Sequence, residues 1–177
     1  AGAADNYETA AHVDDDAGLE AAGFGSTGLG DGWKDCESLH DMMEQVRIVA
    51  DVVCTPPTPC TWPANDPARM IFIDGDFYLG PTIAGQGTLA ITGTLTMHGQ
   101  ADWEGLILII GEGHFIRSGA GNGDTFGAML IADIAGPDDV YGTDDDCSGG
   151  DDGFDEAIFD ESGGGNGSTT FCTVALT

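Results

Sequence analysis

Arg69-Met70-Ile71-Phe72-Ile73-Asp74-Gly75, Gly87-Thr88-Leu89-Ala90-Ile91-Thr92-Gly93, Gly105-Leu106-Ile107-Leu108-Ile109-Ile110-Gly111 and Gly127-Ala128-Met129-Leu130-Ile131-Ala132-Asp133 are four versions of one short pattern. The second and third copies each begin 18 residues after the one before, and the fourth begins 22 residues after the third. Each copy is a run of β-favouring side chains closed by Gly or Asp. Weaker strand-like pieces, Phe77-Tyr78-Leu79, Leu95-Thr96-Met97 and His114-Phe115-Ile116, fall between the copies. A fixed period with several short strands in each period marks a chain wound into a coil of parallel strands. The predicted fold is mainly β: a right-handed parallel β-solenoid with about 18–22 residues per rung and one α-helix packed along its outer face.

Stacking the copies aligns Ile71 with Leu89, Ile107 and Met129, and Ile73 with Ile91, Ile109 and Ile131. Alternate residues of a strand face opposite sides, so these two columns line the interior. Leu79, Met97 and Phe115 are expected to form a third interior column, with Gly75, Gly93 and Gly111 at a corner. The outward set Phe72, Ala90, Leu108 and Leu130 is also apolar and needs a cover. Residues 37–53 supply it. Leu39, Met42, Met43, Val46, Val49, Ala50 and Val53 follow helical spacing, with Asp35 or Ser38 as cap and a Pro pair after Cys54 as stop. Such a helix is about 24 Å long, close to the height of five rungs at about 4.8 Å each. It is therefore expected to lie along the coil axis.

Residues 1–35 read as an acidic, Gly-rich arm, and residues 36–177 as the helix and solenoid domain with an acidic insertion at 134–153. In the arm, Tyr7, Thr9, Ala11 and Val13 alternate with Glu8, Ala10 and His12, a pattern able to add a strand to a sheet edge. Ser118-Gly119-Ala120-Gly121-Asn122-Gly123 returns as Ser162-Gly163-Gly164-Gly165-Asn166-Gly167 at an offset of 44 residues. That offset predicts a last rung running through Phe171 and Val174, with no charged residue to block pairing by another chain. The arm and the coil ends are thus the expected self-assembly surfaces.

A formal net charge of −27, with one Lys and three Arg, excludes nucleic-acid binding and disfavours anionic membranes. No apolar run has spanning length, so the chain is not expected to insert in a membrane. Of the five cysteines, Cys54 and Cys60 flank Thr-Pro-Pro-Thr-Pro and can close a small loop. Cys147 with Cys172 is the other expected pair, leaving Cys36 free or available to another chain. Disulfides suit an extracellular or cell-surface location.

One stretch has metal-ligand spacing. Counting Asp144 as position one puts Asp146 at three, Ser148 at five, Gly150 at seven, Asp152 at nine and Asp155 at twelve, the oxygen spacing of an EF-hand calcium loop. Position eight is Asp151 where an aliphatic residue is usual, and position twelve is Asp where Glu is usual. The residues that bear on catalysis are fewer. A glycoside hydrolase needs two facing carboxylates, and Asp76 and Glu112 share a column with Thr94 between them, two rungs or about 10 Å apart. No nucleophile–base arrangement or phosphate loop accompanies them, and the chain is expected not to be an enzyme.

The succession Ile71-Phe72-Ile73-Asp74-Gly75-Asp76, the Gly87 copy, Trp103-Glu104-Gly105-Leu106-Ile107, the Gly127 copy, the Gly-Gly-Gly-Asn-Gly turn and Cys172 resemble the C-terminal region of PilX-like pilus-assembly proteins. The resemblance spans roughly residues 36–177 and implies a structural role at the cell surface, with no catalytic residues carried over. The rungs are also similar to bactofilins, polymer-forming β-helices of bacteria. The sequence thus leads to an extracellular structural protein, a self-assembling subunit of a surface filament or pilus-associated assembly. The alternatives are a calcium-dependent adhesion or carbohydrate-binding module that contacts a glycan or surface partner, and a glycoside hydrolase.

Overall fold

The computed structural model describes residues 31–62, 68–81, 83–150, 153–161 and 168–171. Among them are one α-helix, α1 (Cys36–Val49), and ten strands in two parallel sheets. The larger sheet carries, in order, β1 (Val52–Cys54), β2 (Arg69–Ile73), β4 (Ala84–Ile91), β6 (Asp102–Gly111), β8 (Asp124–Asp133) and β10 (Ser168–Phe171). The smaller carries β3 (Phe77–Leu79), β5 (Leu95–His98), β7 (His114–Ser118) and β9 (Ile158–Glu161). From β2 onward the strands alternate between sheets, so the chain winds as a β-solenoid.

The repeat sets the register. Ile71, Leu89, Ile107 and Met129 pair in succession, as do Ile73, Ile91, Ile109 and Ile131. β10 pairs with β8 at the 44-residue offset, Phe171 opposite Gly127. β4, β6 and β8 bend where Gly87, Gly105 and Gly127 stack, each at positive φ. A Cβ on Gly105 would lie 2.1 Å from the carbonyl oxygen of Gly87, so only glycine fits this column.

The third interior column differs from expectation. Leu79 pairs with Met97, but Met97 pairs with Arg117, and Phe115 falls on Leu95. The cause is a two-residue extension of the corner between Ile109 and Phe115, where Gly113 lies at φ 63°. It advances β7 by 20 residues over β5 (Leu95 to Phe115), whereas β6 follows β4 by 18 (Ile91 to Ile109). A charged side chain, Arg117, thereby enters the interior.

The helix also ends sooner than its apolar spacing predicts. Val52, Val53 and Cys54 form β1, in register with Ile71, Phe72 and Ile73, and so begin the coil one rung earlier. Two consecutive valines gain more from a ladder and the packed columns than from another helical turn. Asp51 fastens the junction: its N–H donates to Met70 O at 2.8 Å and its carboxylate accepts from Met70 N–H at 2.9 Å.

α1 covers the outward apolar column. Leu39 and Met43 are buried against Phe72, Ala90, Leu108 and Ile110, with Met42, Val46 and Leu130 at the margin. Asp35 caps its start by accepting from Ser38 N–H at 2.9 Å. The helix runs against the direction of the coil, its last turn leading into β1 and its first residue lying beside the segment after β8. That direction corrects the expected cysteine pairing. Cys36 is not free: it is bonded to Cys147, with Cα atoms 5.7 Å apart, so Cys147 does not pair with Cys172. Cys54 and Cys60 are bonded as expected, and Cys172 lies outside the described residues.

Candidate functional site

Three regions carry the residues singled out by the sequence: the two ends of the coil, the acidic corner between the sheets, and the insertion after β8. At the C-terminal end, β9 is the last strand of its sheet among the described residues. Phe159 stacks on Phe115, ring centroids 5.1 Å apart, which fixes it as an interior-facing residue. Phe115 is 1% exposed, whereas Phe159 is 52% exposed. Ile158 beside it is exposed too. Of the expected assembly residues, Phe171 ends β10, while Tyr7, Thr9, Ala11, Val13 and Val174 lie outside the described residues.

The N-terminal end is built differently. The segment after β1 holds Pro56, Pro57 and Pro59, which have no N–H to offer the edge of β3. Pro56 lies against the Gly75 corner, and the Cys54–Cys60 bond closes the loop. Cys60 and Trp62 then pack on the core, Trp62 lying 5.7 Å from Phe77 and edge-on to Trp103 at 6.1 Å. Beside this loop Ile48, Val49 and Val53 present apolar side chains to solvent.

At the corner, the column of Asp76, Thr94 and Glu112 is assembled as the spacing predicts. Thr94 N–H donates to Asp76 Oδ1 at 2.9 Å, and Thr94 Oγ1–H donates to Glu112 Oε2 at 3.1 Å. Burial and the nearby Asp76 charge hold the Glu112 carboxyl above the usual carboxylate range, against the pull of the Thr94 bond and His114. The structure adds Asp133, which sequence reading left as the closing residue of a strand. It pairs with Gly111 in β6, is buried, and touches both Glu112 and Asp155 through isolated bridges. Burial raises its pKa, Asp155 and Asp139 add to that, and Ala135 N–H opposes it with a 3.3 Å bond. Two carboxyl groups that favour their protons thus sit in one ladder. No His, Cys, Asp and Glu cluster of three or more able to hold a metal ion occurs among the described residues.

The insertion is docked on α1. Asp146 accepts from Gly142 N–H at 2.8 Å and Thr143 N–H at 3.4 Å, and lies 3.2 Å from His40 Nε2. His40 stacks on Tyr141 with centroids 5.2 Å apart, and Tyr141 O–H donates to Glu44 at 3.4 Å. Burial and the Glu44 and Asp146 charges push the Tyr141 phenol well up. Of the expected calcium ligands, Asp144 is exposed, Asp146 and Ser148 are engaged in turns of the loop itself, and Asp155 lies against Gly149. Gly150 is at φ 31° within that turn, and Asp152 lies outside the described residues. The His40–Asp146 and Cys36–Cys147 contacts were not read from the sequence. They require knowing that the helix doubles back along the coil.

The sequence matches no protein-family model, and neither curated proteins nor solved structures give a match to it.

Proposed function

We propose that this chain is a structural extracellular protein that joins copies of itself end to end, as a subunit of a surface filament or pilus-associated assembly, and acts without catalysis. The observation that carries this reading is Phe159, an interior residue of the last small-sheet rung left half exposed on top of a buried aromatic. An apolar side chain exposed at the end of a solenoid is a surface on which another chain can pack. The exposed Ile48, Val49 and Val53 at the opposite end supply an apolar surface for such a contact. Contact between unlike ends repeats as a filament unless the rotation closes a ring. The strand pattern at residues 7–13 gives the arm a part as added strand. Two disulfides fit the oxidising surroundings of a surface location.

Light scattering and negative-stain microscopy test this. The net charge of −27 opposes association at low salt, so filaments should grow as salt or millimolar calcium is added. Deleting residues 1–13 should shorten or abolish them. A protein that stays monomeric at high concentration in both molar salt and calcium defeats the proposal.

A further inference from the structure

The chain carries 31 Asp and Glu, yet none lies between Asp76 and Asp102 or between Glu112 and Asp124. Those two intervals hold β3, β5 and β7 and the turns that follow them. In β5 and β7 burial alternates: Leu95, Met97, Phe115 and Arg117 face inward, while Thr96, His98, His114, Ile116 and Ser118 lie outward and partly exposed. In β3 Leu79 is buried and Tyr78 is 53% exposed. The register stacks Tyr78, Thr96 and Ile116 in one outward column and sets His98 beside Ser118 in another. Over these three rungs the outward positions hold no Asp, Glu, Lys or Arg. The helix packs on the larger sheet, away from this face. The stripe ends at β9, where Asp160 follows Ile116 in the column and is exposed.

A net charge of −27 drives copies of this chain apart. Two copies meet at least electrostatic cost through a face that brings no carboxylate to the contact. This face also offers the Tyr78 ring and the Ile116 side chain, apolar surface of the kind that marks a contact site. We propose that the outer face of the small sheet is a contact between two copies of this chain, packed face to face with their coil axes antiparallel. A surface in contact with itself is isologous, so each residue pair occurs twice about a two-fold axis. With that axis along β5, Thr96 meets Thr96 of the second copy, and Tyr78 meets Ile116 of the second copy. Charge sets the direction. Antiparallel axes place the acidic insertions, with Asp138, Asp139 and Asp144, at opposite ends of the pair and not side by side. Three rungs make a small face against the ~800 Å² that each partner buries in a stable complex. Pairing is therefore weak, and it appears in salt that screens the rest of the surface. The pair closes on itself and does not rest on the end-to-end contact proposed above.

Sedimentation equilibrium in Phe159→Asp, which removes the end contact, reads the pair apart from filaments. The mass should be that of one chain at low salt and move towards that of two in molar sodium chloride. Thr96→Asp in this background should weaken pairing about tenfold or more, because it sets two carboxylates against each other on the axis. Gln86→Asp, which puts the same charge on the larger sheet, should leave pairing within about twofold. Should Thr96→Asp fail to fold, cross-linking carries the test. In a Cys172→Ser background with oxidised glutathione, Thr96→Cys should give a disulfide-linked dimer. Tyr78→Cys mixed with Ile116→Cys should link one to the other, and neither should link to itself. A self-link of Tyr78→Cys without the mixed link overturns the antiparallel arrangement. A protein that stays monomeric at high concentration in molar salt overturns the contact, as does pairing untouched by Thr96→Asp. Loss of pairing on deletion of residues 1–13 overturns it too, and would assign the face to the arm. So does a monomer retained on a neutral polysaccharide matrix and released by Tyr78→Asp, which would assign the face to a glycan. A closed dimer in a protein that never forms filaments leaves this contact standing and removes the end-to-end reading alone.

Discussion

The two ends of this coil solve the same problem in opposite ways. At the N-terminal end, residues after β1 that could have continued the small sheet are prolines, bent into a disulfide-closed loop whose Cys60 and Trp62 seal the core. At the C-terminal end Phe159 stacks on the buried Phe115 and is itself half exposed. The first end withholds backbone donors and buries an aromatic; the second presents an aromatic face and strand edges. Prolines at one end withhold the N–H groups that a continuing small-sheet strand would need, while the other end exposes an aromatic side chain.

The disulfides give the largest test of this contrast. Cys36–Cys147 spans 111 residues and Cys54–Cys60 spans 6. Loop-closure entropy puts them at about 5 and about 2 kcal/mol respectively. Cys36→Ser with Cys147→Ser should therefore cost roughly twice as much in urea unfolding as Cys54→Ser with Cys60→Ser. Equal costs would mean that the N-terminal loop bears more of the fold than its length implies. Next in size are the aromatics. Trp62→Ala should cost about 2–3 kcal/mol, because it opens a gap between Phe77 and Trp103. Phe159→Ala should cost about 1 kcal/mol, since half its surface is already wet. A reversed order would break the contrast between a sealed and an open end. Phe159→Asp sharpens it further: the change should leave the monomer within about 1 kcal/mol of the parent while abolishing filaments in molar salt.

Much of this was written in the chain. The 18-residue spacing fixed which aliphatics face inward, and the apolar outward column of Phe72, Ala90 and Leu108 announced the helix that covers it. What escaped depends on corners and directions, which periodicity does not encode. The turn from Ile109 to Phe115 is two residues longer than that from Ile91 to Leu95, so a column extrapolated by 18 placed Phe115 where Arg117 belongs. Valine pairs suit both helix margins and strands, so the end of α1 was decided by an available sheet edge. The Cys36–Cys147 bond needed the helix to run against the coil, which its sequence does not state. At the candidate site, Asp76 and Glu112 were legible because they keep the period. Asp133 was not, because the offset of its copy differs and its burial is tertiary.

The smallest expected effect separates the corner from both ends. Glu112 holds its proton more firmly in the folded chain than in the unfolded one, through burial first and Asp76 second. The folded state then binds more protons between the ordinary carboxylate range and the raised value, so stability falls as pH rises through that window. At neutral pH the full penalty is present; below the ordinary range it vanishes. Glu112→Gln keeps an oxygen for the Thr94 bond and removes the charge. It should be more stable than the parent at pH 7 by under about 1 kcal/mol, because the carboxyl is partly solvated and screened. The gap should close on acidification. Added salt should trim the share owed to Asp76 and leave the share owed to burial. Should Glu112→Gln instead be less stable at pH 7, the carboxylate would have a stabilising cation. Repeating the melts with calcium and then with chelator would tell whether that cation is divalent, and the corner, not the insertion, would become the place to look for metal.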